Sequence, residues 1–68
     1  MLHDTSTLIK DPAWGEYFIH VINMDTEEEK FHVCKVVKGA GKQVNVEWAT
    51  VEGATACVEL LAEGYLKE

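Results

Sequence analysis

The chain has no apolar run near the roughly 20 residues needed to cross a bilayer. Its first residues, Met1-Leu2-His3-Asp4, carry neither the basic nor the apolar stretch of an export signal. These two absences argue against a membrane protein and point to a cytoplasmic one. Cysteine is sparse, with Cys34 and Cys57 only. In a reducing cytoplasm both are expected to act as small core hydrophobes. A disulfide between them stays open, because a strand and its packed helix can approach closely. Positive charge is scarce as well. Six basic residues face twelve acidic ones, and the net charge of −6 repels phosphate backbones, so direct nucleic-acid binding is disfavoured. No internal repeat or low-complexity segment interrupts the chain.

Motifs for chemistry are also missing. His32 and Cys34 share a strand face, His20 could join them from a neighbouring strand, and Cys57 could approach from a helix. Their spacing matches no compact ligand motif, so no metal or cofactor is expected. Cys34 beside His32 has no third orienting group and no oxyanion hole, so no catalytic residue is assigned and the protein is read as a non-enzyme. Lys38-Gly39-Ala40-Gly41-Lys42 is glycine-rich and basic, but no Ser or Thr follows the lysine and no helix begins there. It is a turn and not a phosphate loop.

The 68 residues form one domain, and their 47% apolar content excludes a disordered chain. The expected plan is α+β: an irregular N-terminal arm (1–16), an antiparallel three-stranded meander (17–49) and one C-terminal helix (50–64) packed on one face. In the arm, Asp4-Thr5-Ser6-Thr7 reads as the cap of a short turn over Leu8 and Ile9, ended by Asp11-Pro12. Trp14 reads as an anchor pinning the arm to the body. Tyr17–Ile22 and Phe31–Val37 are rich in β-branched and aromatic residues, and Val44–Trp48 alternates cleanly. Thr50 supplies a helix N-cap and Gly64 a C-terminal stop, with Tyr65 folding back on Leu60. The expected core is Phe18, Ile22, Phe31, Val33, Val37, Val44, Val46, Trp48, Val51, Ala54, Val58 and Leu61.

The first two strands are apolar on both faces, whereas one helix covers only one side of a sheet. If a four-residue loop sets the first hairpin, the face away from the helix carries Tyr17, Ile19, Val21, Cys34 and Val36. A one-residue slip exchanges the faces and leaves a surplus either way. That surplus needs a cover: the arm, a second copy or a foreign protein. Tyr17, Ile19, Val21 and Val36 are therefore expected to contact a partner, with Asp25, Glu27, Glu28 and Glu29 steering a basic surface towards them. Homodimerisation stays open.

From Tyr17 onward, three strands followed by a helix is the order of the double-stranded-RNA-binding domain, and Phe31-x-Val33 and Gly39-x-Gly41 resemble its strand and turn. That family has a basic cluster at the start of its last helix. Here the matching stretch is Val51-Glu52-Gly53-Ala54, so RNA binding is not implied, and the frame would serve protein contacts instead. In size, charge and plan the whole chain resembles the small acidic inhibitors encoded by bacteriophages and other mobile elements. That resemblance implies a stoichiometric inhibitor occluding a site on a larger host enzyme or nucleic-acid-handling complex.

Overall fold

The computed structural model describes residues 7–67, the side chain of Asn45 excepted. Of the expected cap at 4–7, residues 4–6 lie outside the described residues, and Thr7, Leu8 and Ile9 form a strand where a short turn was expected. The fold is α+β: strands β1 (Thr7–Ile9), β2 (Tyr17–Ile22), β3 (Lys30–Val37) and β4 (Ala40–Trp48), then helix α1 (Val51–Glu63). The strands form one antiparallel sheet in the order β1-β2-β3-β4. The meander thus gains a fourth strand from what was expected to be an irregular arm: Leu8 and Ile9 lie opposite His20 and Ile19. A 3-10 turn at Pro12–Trp14 links β1 to β2. The Asp11 carboxylate accepts the Ala13 N–H at 2.8 Å, and Pro12 sits at the start, where its missing N–H costs nothing. Trp14 is buried against α1, which makes it the anchor its position suggested.

The first hairpin decides which residues face the helix. Residues 23–29 form its loop, longer than four residues, and the register pairs Tyr17 with Lys35, Ile19 with Val33 and Val21 with Phe31. Residues paired in a ladder share a face. Ile19 and Val21 therefore join Phe31 and Val33 under α1, while Phe18 and Ile22 fall on the other side. The second hairpin turns on only two residues. Lys38 (φ 52°) and Gly39 (φ 80°) are both left-handed, as in the primed turns whose twist matches that of the strands. The expected turn over 38–42 is thus shorter, and Ala40 already belongs to β4.

The ladder between β3 and β4 contains a bulge. His32 pairs with Glu47 and Cys34 with Gln43, so Val33 alone stands opposite Val44, Asn45 and Val46. The extra residues break the inward alternation, and Val46 is 68% exposed instead of in the core. Val37, also expected inside, is exposed because α1 lies across β2, β3 and the end of β4 and leaves the hairpin tip uncovered. Phe18 is buried and Ile22 half-buried, but both on the opposite face from the one expected.

The helix forms where its caps are. The Thr50 hydroxyl accepts the Gly53 N–H at 3.2 Å, Glu52 places negative charge in the first turn, and Gly64 (φ 85°) ends the helix. The N–H groups of Tyr65 and Leu66 both donate to the Leu60 carbonyl. The Tyr65 ring does not fold back; it is exposed. Ala54, Cys57, Val58 and Leu61 enter a core with Trp14, Ile19, Val21, Phe31 and Val33. Ile19, Val33 and Val58 are fully buried, each contributing about 1.5–3 kcal/mol. Gly53 allows a close approach here: a Cβ at this position would lie 2.7 Å from Cε3 of the Trp48 indole.

Candidate protein-binding surface

The sheet face opposite α1 carries Leu8 from β1, Phe18, His20 and Ile22 from β2, His32, Cys34 and Val36 from β3, and Gly41, Gln43 and Glu47 from β4. The helix α1 packs on the other face, against Ile19, Val21, Phe31 and Val33. Phe18 supplies part of its own cover, for its ring lies 2.9 Å from where a Cβ on Gly41 would stand. Phe18 and Cys34 are thus buried although both lie outside the main core. Leu8 and Val36 are 49% and 41% exposed, and Ile22 is half-buried. Towards the middle, His20 pairs with His32 and His32 with Glu47. The two imidazoles meet edge to face at 6.5 Å, and His32 Nε2 is 2.9 Å from Glu47 Oε2.

The acidic loop stands at the Ile22–Lys30 end of β2 and β3, and it is built rather than slack. Asn23 (φ 53°) and Asp25 (φ 66°) take left-handed conformations, which Asn and Asp tolerate best. The Thr26 hydroxyl donates to the Asn23 carbonyl at 2.7 Å and accepts the Glu28 N–H at 3.1 Å. The Glu29 carboxylate accepts the Asp25 N–H at 3.0 Å. Glu29 is therefore half-buried and fixes the loop, while Asp25, Glu27 and Glu28 point their charge into solvent.

Of the eight residues expected at the interface, Val36, Asp25, Glu27 and Glu28 are exposed, and Val36 alone of the apolar four lies on the open face. Ile19 (0% exposed) and Val21 (3%) are core residues under α1, so they contact no partner. Tyr17 lies half-buried on the helix side, with the Lys35 ammonium 5.5 Å from its ring centroid. The parity of the 23–29 loop made the exchange. In their place the open face offers Leu8, Phe18, Ile22 and the two histidines; of these, Phe18 and Ile22 were signalled by the apolar content of β2 on both sides.

Three of the six lysines lie towards the opposite end, while Lys30 stands beside the acidic loop. Lys35 and Lys42 are paired directly across the ladder, a like-charge juxtaposition that works against the sheet, and Lys38 sits in the turn. Cys34 lies on the open face and Cys57 beneath α1, so the sheet separates them, and both are free thiols. Burial pushes both thiol pKa values up. At Cys57 the neighbouring Trp48 side chain acts the other way, to a smaller extent. That indole N–H has no oxygen or nitrogen acceptor among the described residues.

Among the described residues, no three His, Cys, Asp or Glu side chains converge as a ready metal ligand set, and no helix is long and apolar enough to cross a membrane. A recess of about 90 Å³ between the 3-10 turn and the end of α1 is lined by Asp11, Trp14, Glu59 and Glu63; it is too small to enclose a substrate. No protein-family model, curated protein or solved structure matches the chain, so the surface is read from its own chemistry.

Proposed function

We propose that the chain is a non-enzymatic protein-binding module of the cytoplasm, a stoichiometric inhibitor that occludes a basic site on a larger nucleic-acid-handling protein. The observation that carries this reading is an apolar sheet face turned away from α1, bearing Leu8, Phe18, Ile22 and Val36 and flanked at one end by an acidic loop held by its own hydrogen bonds. The face supplies area to desolvate, and Asp25, Glu27 and Glu28 supply a field that raises the encounter rate with a basic surface. The test begins with light scattering on a sizing column at low and high salt, followed by capture from cell lysate and kinetics with the captured protein. Asp25→Asn with Glu27→Gln and Glu28→Gln, which keeps the left-handed backbone at position 25, should slow association about tenfold or more and flatten its salt dependence. Ile22→Ser with Val36→Ser should instead speed dissociation. A stable dimer on the column would assign the face to self-association, and rates untouched by both sets of changes would sink the proposal.

A further inference from the structure

Beyond partner binding, the open face holds a row of three polar side chains for which that reading has no use. His20, His32 and Glu47 lie side by side on β2, β3 and β4, in register along one line across the sheet. We propose that His20 and His32 form a cross-strand chelate for a late divalent transition-metal ion such as Zn²⁺ or Ni²⁺, with Glu47 as the residue that positions His32.

Three observations combine. First, directly opposed residues in an antiparallel pair have Cβ atoms only about 4.5–5.5 Å apart, a span that two imidazoles can close on one ion. Their ring centroids are 6.5 Å apart in the structure. Two imidazoles bound at zinc–nitrogen distances in a tetrahedral arrangement have centroids roughly 5 Å apart. Closure therefore needs the His20 ring to swing by an ångström or two, and the open face leaves room for it.

Second, the Glu47 carboxylate can only accept, so the 2.9 Å contact requires the proton on His32 Nε2. That tautomer leaves Nδ1 with its lone pair free to ligate. A carboxylate behind a ligating histidine is the usual outer support of a metal site, holding the ring and raising its basicity. Third, the pair is accessible without being loose. Both histidines are half-buried, the His32 side chain at 18% exposure, while Glu47 stands at 51%. Neutral imidazole nitrogens suit zinc, copper and nickel over calcium or magnesium, which sets the class of ion. The remaining coordination positions face solvent.

The experiment titrates the chelator-stripped full chain with Zn²⁺, followed by calorimetry and by NMR of the imidazole ring protons. One ion should bind per chain, shifting the His20 and His32 signals together and leaving His3 unmoved. His20→Ala and His32→Ala should each weaken binding at least tenfold. Glu47→Gln should weaken it about 10–100-fold with the melting temperature of the metal-free chain unchanged, an effect that a merely structural residue would not give. Zinc binding that persists at wild-type strength in a folded His20→Ala/His32→Ala double variant would overturn the proposal, as would a titration that moves neither imidazole. Full affinity in Glu47→Gln would remove the positioning role.

Discussion

At the scale of single residues, the close contacts of glycine say more than its propensity does. Gly53 lies in the first turn of α1, where alanine would favour the helix by up to about 1 kcal/mol. The indole of Trp48 occupies the space a methyl group would need. The clash should win, because the half-buried indole is packed against the core beside α1 and has to shift to make room. Gly53→Ala is expected to lower the melting temperature by several degrees, and a melt unchanged or raised would show that Trp48 yields. The two thiols give a pH prediction. Burial raises their pKa values in the folded chain, so above the ordinary thiol range, near pH 8.5, the unfolded chain loses those protons first. Stability is undiminished below that range and falls as the pH rises through the interval between the unfolded and folded values. Urea unfolding at pH 7.5 and pH 10 should show the decline, and Cys34→Ala with Cys57→Ala should make it shallower.

At the scale of elements, the helix was legible and the sheet register was not. Thr50 and Gly64 carry their signals in single side-chain and backbone properties, and α1 begins and ends beside them. Nothing so local fixes the β2–β3 register. Tyr17–Ile22 is apolar at odd and even positions alike, so the period-two pattern has no sign to read. The decision passes to the 23–29 loop, whose length depends on left-handed Asn23 and Asp25 and on the Thr26 hydroxyl. The bulge at Val44–Val46 was hidden for a related reason: the clean alternation of β4 promised an inward Val46, and only its pairing partners reveal the extra residues. β1 is three residues long and makes sense only against β2. The second hairpin invites a stabilising change. Lys38 sits at φ 52°, where asparagine is far better tolerated. Lys38→Asn should raise stability by a few tenths to about 1 kcal/mol, and at the upper end of that range a domain of this size melts roughly 4–8 °C higher.

At the scale of the whole molecule, charge is laid out along the long axis of the sheet. The acidic loop and the lysine-bearing tip lie at opposite ends of β3, and a net charge of −6 sits on a small core. Self-repulsion of this kind weakens the compact state and is screened by salt. Raising sodium chloride from about 10 mM to about 150 mM should therefore lift the melting temperature, with much less gain once Asp25, Glu27 and Glu28 are neutralised. A melt insensitive to salt in both chains would mean that the loop charges are already too far apart to matter.

The loop divides its labour among its own residues. Asn23, Thr26 and Glu29 hold its shape through contacts within the loop, while Asp25, Glu27 and Glu28 display charge that the loop's side-chain hydrogen bonds do not use. Display can therefore drift while the frame stays fixed. Positions 27 and 28 can be rewritten without disturbing the loop's frame, whereas position 25 is held to residues that tolerate its left-handed backbone, so the two glutamates are where the loop's charge is freest to change.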